Sequence, residues 1–118
     1  MRQQEILAAG TSIWLDDLSR SKLTGSDPHS LPHRINHDGV RGVTTNPSIF
    51  GAAITGADEY AADIASLSGK SVDEVVRTLT TDDVRVACDL FAEIYASSKG
   101  IDGRVSIEVD PRLAHKTQ

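Results

Sequence analysis

The sequence has little of what several large classes of protein require. Its single cysteine, Cys88, cannot form an intrachain disulfide, so nothing indicates an oxidising compartment. Acidic residues outnumber basic ones and give a net charge of -5, which argues against nucleic-acid binding because phosphate backbones attract basic surfaces. No apolar run approaches the length of a membrane span, and the first residues lack the apolar stretch of a secretory leader. We therefore predict a cytoplasmic protein with no membrane or nucleic-acid partner.

What the sequence does contain is typical of one ordinary globular domain. It has 118 residues, of which 39% are hydrophobic and 25% charged, with a mean hydropathy of -0.23. A domain of this length can bury a real core. An acidic protein can still bind a small phosphorylated ligand, since one local cationic or amide-rich pocket suffices.

Three segments have the composition and alternation of β-strands. We predict strands over residues 11–16, 40–45 and 104–110, each separated from the next by helical segments. Strands that alternate with helices pair in parallel through right-handed crossovers. A three-stranded parallel sheet alone has two exposed edges, and a closed barrel of eight strand–helix units needs roughly 250 residues. We predict the α/β class, with residues 1–118 as the N-terminal part of one (β/α)₈ (TIM) barrel domain: its first three units, truncated before strand 4.

The clearest helical pattern lies just before the third strand. An apolar stripe runs through a helix that we predict from residue 82 to about 98, with its start signal at Thr81. A separate helix is predicted from a cap at Ser71 to about Leu79. The stripe consists of Val84, Ala87, Leu90, Phe91 and Ile94. Further helices are predicted over residues 3–9, 31–37 with Pro32 in the first turn, 48–54 after Asn46-Pro47, and 58–67.

Small polar side chains share one face of the predicted sheet, because side chains alternate along a strand. Trp14 is large for such a face, so it either fills the barrel floor or the alternation is off by one residue. Polar groups at the carboxyl ends of barrel strands commonly form an active site, and we predict one there. The polar face holds Ser12, Trp14, Asp16, Gly42, Thr44, Asn46, Ser106, Glu108 and Asp110. The opposite, mainly apolar face holds Ile13, Leu15, Val43, Thr45, Val105, Ile107 and Val109.

Each candidate residue also has a structural alternative. Asp16, or the aspartate after it, can cap the following turn, and Asn46 can cap the helix that follows it. Thr44 fits as a small filler of the sheet. Glu108 stands between two apolar residues, so it either faces solvent or has a function, since an unpaired carboxylate inside a barrel is costly.

Other residues are weaker candidates for chemistry. His29, His33 and His37 are spaced four apart, but prolines interrupt their segment and no carboxylate pattern completes a metal site. Cys88 lies beside the apolar stripe, so we expect a buried packing residue.

Three segments together resemble one protein family. Residues 11–20 (TSIWLDDLSR), 39–50 (GVRGVTTNPSIF) and 103–113 (GRVSIEVDPRL) are similar, in order and spacing, to the first three strands of bacterial transaldolases. The resemblance covers essentially the whole chain. It implies a (β/α)₈ barrel, without metal or organic cofactor, that acts in the non-oxidative pentose phosphate pathway. It also implies transfer of a dihydroxyacetone unit from fructose 6-phosphate or sedoheptulose 7-phosphate to an aldose phosphate through a lysine Schiff base.

The resemblance assigns roles to four residues. Asp16 matches the acid/base that takes the proton from the substrate C4 hydroxyl. Glu108 matches the carboxylate that moves protons through a water while the carbinolamine forms and breaks down. Asn46 matches a residue that hydrogen-bonds the bound dihydroxyacetone, and Thr44 matches a pocket residue of lesser weight.

The resemblance also implies what these 118 residues lack. The Schiff-base lysine of the family lies on the fourth strand, and the serine and arginine that hold the substrate phosphate follow it. None of Lys22, Lys70, Lys99 and Lys116 lies in an apolar strand that would desolvate the amine, so we expect the isolated chain to be inactive. Two alternatives stay open: a non-catalytic half-barrel that self-associates or binds a partner through its open sheet edges, and a complete small enzyme that uses the lysine of a second molecule.

Overall fold

A short parallel sheet and the helices packed against it make up the chain. The computed structural model describes residues 2–56 and 58–117. The strands are β1 (Ile13–Leu15), β2 (Val40–Val43) and β3 (Arg104–Val105). The helices are α1 (Arg2–Ala8), α2 (Arg20–Thr24), α3 (Leu31–His37), α4 (Pro47–Gly56), α5 (Ala61–Ser66), α6 (Val72–Leu90) and α7 (Ala92–Ser97). Turns of 3₁₀ helix cover Asp58–Tyr60 and Pro111–Leu113.

The three strands are parallel and adjacent in chain order, which confirms the prediction from the alternation of strands and helices. Leu15, Val43 and Val105 are partners across the sheet, so the carboxyl ends of the strands lie at one edge. The strand order fits successive units of a barrel, while the closed eight-stranded barrel stays a prediction.

The strands are shorter than predicted, and the difference is largest for β3. A strand over 104–110 is wrong, because regular pairing ends at Val105. The neighbouring strand β2 ends at Val43, so within the described residues no strand lies beside the segment after Ser106. Ile107 and Val109, predicted on the buried face, are accordingly 41% and 69% exposed.

One long helix, α6, replaces two predicted helices. Ser71 caps its start, as predicted, in a capping box in which the Glu74 amide donates to Ser71 Oγ at 3.3 Å. The predicted start at Thr81 is wrong: the Thr81 hydroxyl donates to the Arg77 carbonyl at 2.8 Å, and the helix continues. Helix α6 ends instead at Leu90, and Phe91 separates it from α7.

The other helices are close to their predicted bounds, with one exception. Pro32 lies in the first turn of α3 and Pro47 is the first residue of α4, as predicted. Helix α2 was not predicted, because its five residues carry no periodic pattern. It is fixed instead by burial of Leu23 and by long-range bonds of Arg20.

The core lies between the helices and the apolar face of the sheet. Ala87 and Phe91 from the predicted stripe are fully buried, and Val84, Leu90 and Ile94 pack against the core as partly buried side chains. The stripe is thereby confirmed. The other buried core residues are Leu18, Leu23, Leu31, Val40, Val43 and Phe50.

A close contact between β1 and β2 settles the orientation of Trp14. The Trp14 ring occupies the space where a side chain of Gly42 would lie, since a Cβ built there falls 2.4 Å from ring atom Cε2. Trp14 and Gly42 therefore share one face, as predicted. The ring remains 40% exposed.

Candidate functional site

The carboxyl ends of the three strands are held in line by backbone hydrogen bonds. The Thr44 amide donates to the Leu15 carbonyl at 2.9 Å, and the Ser106 amide donates to the Val43 carbonyl at 2.9 Å. The ladder thus continues one residue past the assigned strand ends. It places the residues that follow β1, β2 and β3 side by side at one edge of the sheet.

Asp16 and Thr44 are brought together at this edge. Thr44 Oγ1 donates to Asp16 Oδ1 at 2.7 Å, between two residues that are 28 positions apart in the sequence. Asp16 is exposed and Thr44 is half-buried, so the carboxylate is fixed by its neighbour yet open to solvent. Asp16 does not cap α2, the helix that follows it, because Ser19 occupies the N-cap position of that helix.

Asn46 lies between this edge and α4. Its backbone carbonyl accepts from the Phe50 amide at 3.2 Å, and Pro47 is the first helical residue. Asn46 is half-buried. Asn46 therefore lies between the carboxyl end of β2 and the start of α4, two residues after Thr44.

Glu108 is not brought into this group. Its side chain is exposed, three residues past the end of β3, in the segment that has no regular strand pairing. Within residues 2–56 and 58–117, no hydrogen bond or ion pair joins Glu108 to Asp16 or Thr44. The described geometry therefore contains one half of the predicted site.

A buried ionic cluster that the sequence did not predict joins α2, α6 and the first 3₁₀ turn. Tyr60 and Asp83 are 0% and 2% exposed, and Tyr60 Oη donates to Asp83 Oδ2 at 2.5 Å. Arg20 Nε and Nη2 both donate to Asp83 Oδ1, at 3.0 and 2.9 Å, and Arg20 Nη1 pairs with Asp63. The Arg20 guanidinium carbon lies 4.4 Å from the centre of the Tyr60 ring. We call Arg20, Tyr60 and Asp83 the buried cluster.

The buried cluster raises the pKa of two of its side chains. Burial and the hydrogen bond to Asp83 raise the pKa of Tyr60 far above its ordinary value, so Tyr60 is a neutral donor. Partial burial acts to lower the pKa of Arg20, but the hydrogen bonds to Asp63 and Asp83 outweigh it and raise that pKa. One signal in the sequence could have revealed the cluster. Leu79, Asp83 and Ala87 are the buried residues of α6 at four-residue spacing, so a carboxylate occupies a position where an apolar side chain is expected.

In the described part of the chain, the histidines and Cys88 do not form a metal site. Among the residues that the structure describes, no group of three His, Cys, Asp or Glu side chains could hold a metal ion, and the rings of His33 and His37 stack on each other at 4.2 Å. Over the same residues, no helix is long and apolar enough to cross a membrane. The expectation that Cys88 is buried is wrong, since it is exposed; partial burial of its sulfur still raises the thiol pKa.

Fold and site together define an α/β chain whose parallel sheet carries a fixed carboxylate at its carboxyl edge. A family model described as Transaldolase/Fructose-6-phosphate aldolase matches residues 13–118. The chain therefore belongs to the transaldolase/fructose-6-phosphate aldolase family, which confirms the resemblance seen in the sequence.

Individual relatives agree with the family. The chain is 58% identical over 113 residues to a transaldolase of Mycolicibacterium smegmatis, with 93% of this chain and 29% of that protein covered. It is 54% identical over 113 residues to a transaldolase of Kocuria rhizophila, with 94% of this chain and 30% of that protein covered. The chain thus spans less than a third of the length of these relatives.

Proposed function

We propose that this chain forms the first three strand–helix units of a transaldolase barrel and carries part of its active site. The observation that supports this proposal best is the hydrogen bond from Thr44 to Asp16, which fixes a carboxylate at the carboxyl edge of the parallel sheet. Active sites of parallel barrels lie at that edge.

Asp16 serves in this proposal as the acid/base of the reaction. The ketose carbonyl forms a Schiff base with an amine, and the protonated imine accepts the electron pair of the neighbouring C–C bond as that bond breaks. Asp16 accepts the proton of the C4 hydroxyl, so the aldose leaves as a neutral aldehyde. The Thr44 hydroxyl orients the carboxylate through Oδ1, and Oδ2 takes this proton.

Asn46 and Glu108 complete the proposed set. Asn46 hydrogen-bonds the hydroxyls of the dihydroxyacetone unit that stays bound to the amine. Glu108 moves protons through a water as the carbinolamine forms and then loses its hydroxyl group as water. In the described geometry Glu108 is exposed, so this role requires the segment after β3 to pair with a further strand.

The amine comes, we propose, from outside these 118 residues. Each of the four lysines lies off the strands: Lys22 in α2, Lys70 before α6, Lys99 after α7 and Lys116 after the last 3₁₀ turn. Partial burial and the nearby Arg34 lower the pKa of Lys22, but Asp17 pairs with its ammonium group and holds it in α2. A Schiff-base amine instead needs to face the carboxylate across the substrate.

Borohydride trapping tests this point directly. The 118-residue chain is incubated with fructose 6-phosphate, reduced, and analysed by intact mass and peptide mapping. We expect no adduct. A stoichiometric adduct on any of the four lysines would show that this chain is an enzyme by itself and would refute the proposal of an external amine.

A chimera tests the role of Asp16. Residues 1–118 replace the matching region of the Mycolicibacterium smegmatis transaldolase, and transfer from fructose 6-phosphate to erythrose 4-phosphate is measured. Asp16→Asn should lower kcat by about 10²–10⁴-fold, the usual contribution of a general base. Asp17→Asn is the matched control, because Asp17 pairs with Lys22 rather than Thr44. Equal kcat values for the two variants would exclude Asp16 as the base.

We also propose that the isolated chain self-associates through its open sheet edges. Neither β1 nor the outer side of β3 has a further strand beside it within the described residues. Apolar side chains near β3 are exposed, including Ile101 at 77% and Val109 at 69%. An uncovered strand edge with apolar neighbours favours pairing with another chain.

A further inference from the structure

The segment that follows Asp16 is attached to the protein interior at its far end. Three residues separate Asp16 from Arg20, the first residue of α2. The Arg20 amide donates to Tyr60 Oη at 3.0 Å, and the Arg20 guanidinium donates twice to Asp83. Because Tyr60 and Asp83 are buried, this attachment is shielded from water and therefore strong.

The same segment is held at its near end and in its middle. The Leu15 carbonyl, at the end of β1, accepts from the Thr44 amide at 2.9 Å. Leu18, in the middle of the segment, is fully buried in the core. Residues 16–19 therefore have little freedom to move, and Asp16 is their exposed member beside Thr44.

We propose that the buried cluster positions Asp16: by fixing the start of α2 it holds residues 16–19 so that the Asp16 carboxylate meets the Thr44 hydroxyl. Arg20, Tyr60 and Asp83 are positioning residues, since they act on Asp16 through the backbone of this segment. A buried ion pair adds little net stability over apolar residues of equal size, but it admits few geometries. The chemical meaning of Asp16 rests on the proposed function, whereas the positioning does not.

The test uses the carboxyl ¹³C signal of Asp16 in the 118-residue chain labelled at aspartate. Thr44→Val removes the hydroxyl that donates to Asp16, so the change in the Asp16 signal reports their contact. Tyr60→Phe removes only the hydroxyl shared by Arg20 and Asp83 and keeps the ring beneath Arg20. In the Tyr60→Phe background we expect Thr44→Val to change the Asp16 signal by about half as much or less, as coupled sites do in a double-mutant cycle.

Two controls separate positioning from a general loss of stability. Tyr95→Phe removes the hydroxyl of the other tyrosine, which is 48% exposed, and should leave the effect of Thr44→Val at full size. Ser71→Ala weakens the cap of α6, far from Asp16 in the sequence, and should also leave it at full size.

If Tyr60→Phe does not fold, Asp63→Asn replaces it. Asp63 pairs with Arg20 from the half-exposed side of the cluster, so its loss loosens Arg20 while the Tyr60–Asp83 bond stays. A full-sized effect of Thr44→Val in whichever of these two variants folds would overturn the positioning role. The signal needs no substrate and no lysine, so this result is independent of whether the chimera turns over.

Discussion

At the scale of single residues, contacts between neighbouring strands were predictable from the sequence, whereas contacts between side chains on different helices were not. The alternation of side chains predicts that Trp14 shares a face with Gly42 and Asp16 with Thr44, and the structure confirms both pairs. The buried cluster was not predictable in this way. Its members are separated by 23, 40 and 63 residues and lie on α2, α6 and the first 3₁₀ turn, and only the packing of these elements brings them together.

Gly42→Ala should destabilise the fold by about 1–3 kcal/mol, because the new methyl group would meet the rigid Trp14 ring. The free energy of unfolding is measured by urea titration with far-UV circular dichroism. Gly51→Ala is the matched control: Gly51 lies in α4 with nothing within 4 Å of the added carbon, and the change should stabilise by about 0.5–1 kcal/mol. Equal stabilities for the two variants would contradict the close contact.

Alkaline pH should weaken the fold through Tyr60. The folded pKa of Tyr60 is raised above its unfolded value, so its contribution is complete below about pH 10 and is lost as pH rises further. The urea midpoint of the wild type should therefore fall more steeply between about pH 9 and 11 than that of Tyr60→Phe. Comparing the two proteins cancels the effect of the Cys88 thiol, whose pKa is also raised. Parallel slopes would show that the Tyr60 hydroxyl is not buried.

At the scale of elements, local signals predicted where helices begin but not where α6 continues. The segment Thr80 to Asp83 has the composition of a helix start, yet it lies inside α6. The Thr80 hydroxyl donates to the Val76 carbonyl at 2.8 Å, and Asp83 is held by Arg20 and Tyr60. Each polar group that favours a break is satisfied within the helix or by tertiary contacts, which sequence reasoning cannot foresee.

The capping box of α6 should account for a measurable part of the stability. Ser71→Ala should cost about 1 kcal/mol at pH 7 in urea unfolding. Hydrogen bonds from the Ser71 backbone and side chain lower the pKa of Glu74, so the contribution of Glu74 is present above the ordinary pKa of a glutamate and is lost as pH falls through the lowered one. The difference between wild type and Ser71→Ala should therefore shrink at about pH 3. Ser97→Ala, near the end of α7, serves as the control and should show no such pH dependence.

At the scale of the whole molecule, the sequence predicted the parallel sheet and its strand order but not the length of β3. Residues 106–110 alternate as a strand should, yet a strand also needs a neighbour, and β2 ends at Val43. This explains why Asp16, which meets Thr44 just past the paired ends of β1 and β2, lies where the sequence predicts while Glu108 does not join it.

The open edge of β3 should make the isolated chain associate as its concentration rises. Analytical ultracentrifugation over about 1–100 μM should show growth in the weight-average mass, since interactions through exposed strand edges depend on concentration. Val109→Lys should oppose it, because a charge beside an edge disfavours pairing. Ile64→Lys is the control, as Ile64 is 40% exposed in α5, a helix outside the sheet. A constant monomer mass for the wild type would refute the association.

The contact of Trp14 with Gly42 has a practical consequence. The chain contains one tryptophan, and it lies two residues before Asp16 with its ring partly open to solvent. Its fluorescence is therefore an optical reporter placed beside the candidate site, with no competing signal from a second indole. A sugar phosphate that binds at the carboxyl edge of the sheet should alter this emission even where no turnover occurs. Binding beside Asp16 and Thr44 can therefore be titrated without a label.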